Sequence, residues 1–282
     1  MPFLESPLPL IEAEALAQAC AYVRSKSPDV PHLAVILGSG LGAFAERVQD
    51  GIVIPTEEIP HFPRSTVAGH AGRWIIGSIA GKRILAMQGR VHMYEGYPPT
   101  TVVFPVHTMA ALGVERMIVT NAAGGINPLF APGDLMLIDD HINMMFANPL
   151  RGQHRKDWGD RWPDMIAPYA PEFQKIALQT AVELGIPLRR GILFAARGPS
   201  YETAAEIQMA RHFGAHAVTM STVPEVIVAV SRRMQVIGIS CITNLATGMS
   251  AGKLDHQEVT ETANRIGATF TQLLTGVIKR IA

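Results

Sequence analysis

The stretch Gln88-Gly89-Arg90-Val91-His92-Met93-Tyr94 sets a guanidinium, an imidazole and a phenol at every second position. Side chains two apart share a face of an extended chain, so Gln88, Arg90, His92 and Tyr94 are expected to point the same way. The preceding Arg83-Ile84-Leu85-Ala86-Met87 reads as a short apolar strand. A strand that leaves the core and ends in three such groups presents donors to a partner outside the core.

Other strand ends carry similar chemistry. The segment 32–37 runs into Gly38-Ser39-Gly40-Leu41-Gly42, and 116–120 into Asn121-Ala122-Ala123-Gly124-Gly125. Segment 215–220 leads to Ser221-Thr222-Val223-Pro224-Glu225, and 234–243 to Asn244. In open α/β sheets ligands bind outside the carboxyl ends of strands. Gly38-x-Gly40-x-x-Ala43 fits a relaxed dinucleotide fingerprint, with Glu57 or Glu58 as the ribose-binding acid. It equally fits a tight strand–helix turn, or a loop whose N–H groups and Ser39 hydroxyl hold a phosphate. A Walker lysine is absent.

Thr222 and Glu225 have the spacing of a capping box, as do Thr203 and Glu206. Ser221 then lies just outside a helix start, where negative charge is favoured. Glu202, beside Tyr201, has no capping task and is either a ligand contact or an exposed glutamate. The ten histidines lack metal-ligand spacing, so no metal is expected. His70, among glycines, and His92, at a strand end, stand out from the others.

The elements that must position these groups are strands at 32–37, 73–81, 83–87, 116–120, 134–139, 189–196, 215–220 and 234–243. Helices are expected at 9–26, 101–112, 171–184, 203–213, 223–232 and 256–281. Near-continuous apolar strands interspersed with helices imply a largely parallel sheet covered on both faces, and 73–87 suggests an antiparallel hairpin within it. The longest irregular stretch, 141–170, carries Trp158 and Trp162; a loop of that length is usually functional or an interface. Trp162, followed by Pro163 and Met165, is expected to pack.

The 282 residues suffice for a large core and balance 24 basic against 24 acidic residues. That balance argues against general binding to nucleic acid or membrane surfaces, so any anion site must be local. Cys20 and Cys241 are expected as buried, reduced thiols of a cytoplasmic protein. No apolar run reaches the length of a membrane span, and the N-terminus does not read as a signal peptide.

Taken in order, VILGSGLG, PRSTVAGHAGRW, MQGRVHMYEGYP, VTNAAGGINP, DHINMMFANPLRG, GPSYETAAE, MSTVPEVIVA and ITNLATG span residues 34 to about 256. Together they resemble the trimeric purine nucleoside phosphorylases. The resemblance implies one α/β domain over 1–282, with a central mixed twisted β-sheet flanked by helices on both faces. It implies phosphorolysis of 6-oxopurine nucleosides with inorganic phosphate as co-substrate, no cofactor, and a homotrimer. Carried over, the phosphate contacts are Ser39, His70, Arg90, His92, the Ala122 N–H and Ser221. The ribose contacts are Tyr94, the Met220 backbone and His256. The purine contacts are Tyr201, Glu202, Val218 and Asn244; Asn244, Glu202 and His92 carry the catalysis. Trp158 aligns with an aromatic that closes the neighbouring subunit's site. Thr219 stands where the family leads one to expect glycine, and Arg197, just before GPSYET, has no assigned role.

Methylthioadenosine phosphorylases of the same superfamily are expected to carry aspartate at position 244, which Asn244 argues against; xanthosine phosphorylase is a further alternative. From other classes come a nucleotide-dependent oxidoreductase built on the glycine loop and a catalytically silent nucleoside-binding protein.

Overall fold

β1 (Leu33–Leu37) is buried at all five positions. Leu33, Val35 and Leu37 enter one core and Ala34 and Ile36 another. Because strand side chains alternate faces, a strand apolar throughout must be covered on both sides. The computed structural model describes residues 13–67, 71–152, 154–250 and 256–282, without the side chains of 156 and 256–260.

Around β1 come α1 (Ala13–Lys26), β2 (Gln49–Pro55), β3 (Arg73–Ile79), β4 (Lys82–Gln88), α2 (Pro99–Val102), α3 (Phe104–Ala111) and β5 (Arg116–Gly125). Then follow β6 (Leu135–Asn143), α4 (Pro171–Leu184), β7 (Leu188–Ala195), α5 (Ala204–His212) and β8 (Ala217–Thr219). The chain continues through α6 (Val223–Ser231), β9 (Gln235–Leu245), α7 (His256–Arg265) and α8 (Gly267–Ile281).

The described strands form a mixed sheet in the order β2-β3-β4-β1-β5-β8-β7-β6-β9. β9 pairs antiparallel with β6 and also parallel with β5, so β5, β8, β7, β6 and β9 close on themselves. On one face α1, α3 and α6 contribute Val23, Met109 and Val226 to a core with Ile36 and Val119. On the other, α4 and α8 bring Phe173, Phe270 and Leu274 against Val35 and Ile118. The α/β architecture and the helices on both faces match the sequence reading.

The expected hairpin is present: β3 and β4 are antiparallel and turn through Ala80 and Gly81, both at positive φ, as a two-residue hairpin turn demands. Other boundaries are corrected. β2 was not expected: only Ile52, Val53 and Ile54 are apolar in it, between Gln49-Asp50-Gly51 and Pro55, and its first five positions are exposed. The helix expected over 101–112 is two, α2 and α3, each with a proline in its first turn, where the missing N–H costs nothing. The helix expected over 256–281 is broken at Ile266, before Gly267. Asn121–Gly125 and Asn244 are not turns but the ends of β5 and β9, whose pairing runs through to Gly125 and Leu245.

Candidate active site

The ends of β1, β4, β5, β8 and β9 and the loop before α5 surround one cleft. Its empty space is about 730 Å³, mouth included, within the range of small-molecule sites. Ser39, Arg90, His92, Tyr94, Ala122, Tyr201, Glu202, Val218, Met220, Ser221 and Asn244 all line it.

One corner is built for an anion. Gly38 brings the first loop onto β5: its N–H donates to Thr120 Oγ1 at 3.1 Å, and a Cβ there would sit 2.7 Å from Asn121 Cα. Only glycine permits that approach. Arg90 is 3 % exposed. Its Nη1 donates to Glu225 Oε1 at 3.0 Å and to Thr222 Oγ1 at 3.3 Å, and its Nη2 to the Thr120 carbonyl. His92 Nδ1 lies 3.1 Å from Glu95 Oε1, and its ring stacks on Tyr94 at 4.6 Å. Burial works to raise the Glu95 pKa, but hydrogen bonds from Thr66 and His92 prevail and lower it. Glu95 is therefore ionised at neutral pH, and His92 presents Nδ1–H to it. The Tyr94 phenol is pushed up to about 12 by burial and by Glu95, so it stays a donor.

Ser221 follows β8, and the chain then turns sharply. Thr222 sits at φ 76°, ψ −52°, while Val223 N–H donates to the Ser221 carbonyl at 2.8 Å. This is a γ-turn, a strained conformation for a β-branched residue. The expected capping box from Thr222 to Glu225 does not form. Both side chains are engaged with Arg90 instead. The Thr203–Glu206 box does form and starts α5 directly after Glu202.

The opposite corner suits a heterocycle edge. Glu202 Oε1 is buried with no hydrogen-bond partner among the described residues. Burial raises its pKa and Glu206 adds to the shift, against its own backbone N–H. Asn244 Oδ1 accepts from Thr243 Oγ1 at 2.9 Å, and Nδ2 donates to the Leu245 carbonyl at 3.0 Å. An amide nitrogen has two hydrogens, so this pinning orients Asn244 while leaving one N–H for a ligand. Arg197 acquires a role: its Nε and Nη2 both donate to the Met145 carbonyl, at 3.2 and 2.9 Å. That ties the loop carrying Tyr201 and Glu202 to the segment after β6.

Several expectations are corrected. Gln88 does not share the cleft face, because Gly89, at φ 93°, ends the extended run; it accepts from Arg73 Nε and donates to the Gly42 carbonyl. Thr219, found where glycine is the family expectation, lines the cleft; its hydroxyl donates to the Ala122 carbonyl at 3.2 Å and lies 3.3 Å from Ser221 Oγ. Trp158 is buried within its own chain, 7 % exposed, with its ring 4.7 Å from His107. Trp162, expected to pack, is instead 85 % exposed. The dinucleotide fingerprint fails in context: a 3-10 stretch, Gly42–Arg47, follows the loop where an α-helix is needed. Glu58 meanwhile bonds Tyr22. His70 lies outside the described residues, and His256 opens α7 with its side chain outside them.

The sequence reading missed Glu95, Thr243 and Asn121, and it assigned Thr222 and Glu225 to a cap. The spacing of Glu95 three residues after His92 was a usable signal. The contacts joining Asn121, Thr222 and Arg90 cross more than 100 residues, and no local pattern carries them.

The phosphorylase superfamily model matches residues 32–279. Purine nucleoside phosphorylase 1 of Geobacillus stearothermophilus is 48 % identical over 268 residues, covering 95 % of this chain and 98 % of that protein. Two crystal structures of Schistosoma mansoni purine nucleoside phosphorylase superpose with a TM-score of 0.91. The one in complex with adenosine is 35 % identical and the one with inosine 34 %; each comparison covers 96 % of this chain and 98 % of that one.

Proposed function

Because the chain belongs to the phosphorylase superfamily, we infer that it is a purine nucleoside phosphorylase. It cleaves 6-oxopurine ribonucleosides and deoxyribonucleosides to the free base and the pentose 1-phosphate. The observation that carries the reading is a single cleft with an anion corner and, facing it, a buried carboxylate oxygen lacking a donor, Glu202 Oε1.

In this reading phosphate is held by Ser39, Arg90, His92, the Ala122 N–H and Ser221, with His70 beside them. Tyr94, the Met220 backbone and His256 hold the pentose. A phosphate oxygen attacks the anomeric carbon as the carbon–nitrogen bond breaks, and the bonding pair leaves with the purine. Positioning both reactants removes the cost of a bimolecular encounter. Negative charge develops toward N7 and O6 of the base, where the remaining Asn244 N–H is available. A donor aimed at developing charge is worth roughly 3–4 kcal/mol.

Glu202 accepts from N1–H of a 6-oxopurine and from the 2-amino group of guanine. Adenine has a lone pair at N1 and offers no hydrogen there. A relative is known in complex with both adenosine and inosine. Discrimination is therefore sought in turnover rather than occupancy. Tyr201 and Val218 complete the purine subsite. Inorganic phosphate is the co-substrate, and no metal or organic cofactor takes part.

The same reading makes the protein a cytoplasmic homotrimer of one-domain subunits. Phe146, Trp162 and Ile166 are 83, 85 and 89 % exposed along one segment, and large exposed apolar side chains of this kind are what a subunit interface would cover. Both cysteines are free and buried, as suits a reducing compartment.

The test is to mix the protein with inosine, with and without phosphate, and follow absorbance. Phosphate-dependent release of hypoxanthine supports the reading. Binding without cleavage leaves a nucleoside-binding protein, and no affinity for nucleosides ends the reading.

A further inference from the structure

Along the anion corner runs a chain of three hydroxyls, Thr219 and Ser221 at the cleft and Thr222 behind them. Thr222 Oγ1 lies 3.3 Å from Arg90 Nη1, 3.0 Å from Asn121 Nδ2 and 3.1 Å from Ser221 Oγ. Thr219 Oγ1 lies 3.3 Å from Ser221 Oγ and donates to the Ala122 carbonyl at 3.2 Å. Thr222 is fully buried, and Thr219 is 6 % exposed.

The donors fix the direction of this chain. A guanidinium and an amide NH₂ have only hydrogens to give. Thr222 Oγ1 therefore accepts from both Arg90 and Asn121, which fills its two acceptor positions. Its own hydrogen must go to the remaining neighbour, Ser221 Oγ. Thr219 has given its hydrogen to the Ala122 carbonyl, so it meets Ser221 as an acceptor. The Ser221 hydrogen then has two uses: it rests on Thr219, or it turns outward to a ligand anion in the cleft.

We propose that Thr222 and Thr219 are positioning residues that set phosphate affinity through Ser221, Thr222 by orienting Arg90 and the Ser221 hydroxyl, Thr219 by competing with phosphate for the Ser221 hydrogen. The strained γ-turn at Thr222 follows from this arrangement, because it brings the hydroxyl under Arg90 and Asn121 at once. Strain of this kind persists where the surroundings over-determine it, commonly at functional sites. The inference rests on the phosphorylase reading, since it takes the anion to be phosphate.

The test measures the affinity of inorganic phosphate by titration calorimetry and, separately, KM for phosphate and for inosine. Thr222→Val keeps the branched shape but removes the hydroxyl, and it should weaken phosphate about tenfold with little change in KM for inosine. Thr222→Ser should restore affinity to within about twofold. Thr219→Val removes the competing acceptor and should tighten phosphate roughly two- to tenfold.

A merely structural role would move both KM values together, and Thr219→Val would not improve binding. Unchanged phosphate affinity in folded Thr222→Val, or no tightening in Thr219→Val, overturns the proposal. If Thr222→Val does not fold, the Thr219→Val and Thr222→Ser results still decide it. Failure of the wild-type protein to bind phosphate or cleave inosine would instead reject the functional reading.

Discussion

Arg90 and Glu225 form an ion pair at 3.0 Å, with side chains only 2 and 4 % exposed. Both charges are withdrawn from water at the back of the anion corner, and Glu225 Oε2 has no further partner among the described residues. A buried pair of this kind is weak evidence for stability, but breaking it leaves one charge uncompensated. Its value here is a guanidinium held in place before a ligand arrives.

Removing Glu225 therefore strands the Arg90 charge. Glu225→Ala is expected to lose about 3–5 kcal/mol of stability, with a raised KM for phosphate. Glu225→Gln, which keeps a hydrogen-bond acceptor, should lose less. Urea denaturation and phosphate saturation curves measure both effects. An unchanged denaturation midpoint in Glu225→Ala would mean that the pair is not closed in solution.

Glu202 should make nucleoside binding pH-dependent. Burial, helped by Glu206, raises its folded pKa above the unfolded value. The carboxylate needed to accept N1–H is thus lost at a higher pH than for an ordinary glutamate. KM for inosine should climb as pH falls through that raised value, and Glu202→Gln should have a high KM without this limb. Stability runs the other way. A raised carboxyl pKa means that ionisation costs folding energy in full above the folded pKa, and the cost fades between the folded and the unfolded pKa and is gone below both. Glu202→Gln should melt above wild type near pH 8, and the advantage should shrink on acidification. A constant difference in melting temperature across pH would contradict the assignment.

Asn244→Asp should relax the preference for a 6-oxo group. Pinned by Thr243, a protonated carboxyl at this position donates toward N7 or accepts from a 6-amino group. The readout is the ratio of kcat/KM for inosine to that for adenosine. If the ratio stays at the wild-type value, Asn244 does not read the purine edge.

The fold was legible wherever strands are apolar at every position, as in β1, or wherever a helix carries a complete cap, as in α5. It was not legible at β2, whose three consecutive apolar residues, Ile52 to Ile54, are shorter than a strand signature and end at Pro55. In the cleft, Arg90, His92 and Tyr94 could be read because they are close in sequence. Their supporting residues could not be separated from local motifs: Thr222 and Glu225 have capping-box spacing, yet burial beside Arg90 gives them another partner. Gln88 failed for a related reason. Alternation presumes an extended backbone, and Gly89 at φ 93° does not continue one.

The two tryptophans of the long segment should behave oppositely. Trp158 packs at 4.7 Å against His107, a side chain whose pKa burial depresses to about 3 and which therefore stays neutral. Trp162 projects from the same segment with 85 % of its surface exposed. Deleting a buried indole leaves a cavity, so Trp158→Ala should cost about 3–5 kcal/mol. Trp158 Nε1 is buried without a partner among the described residues, so phenylalanine forfeits no hydrogen bond there. Trp158→Phe should accordingly recover most of the loss. Trp162→Ala should change subunit stability by less than about 0.5 kcal/mol, but it should weaken assembly if the exposed patch is the subunit interface. Denaturation curves for the first pair and light scattering against concentration for the second provide the comparison. A Trp158→Ala protein of wild-type stability with a raised KM for nucleoside would return this residue to the neighbouring subunit's site. A Trp162→Ala protein that assembles as wild type would remove that side chain from the interface.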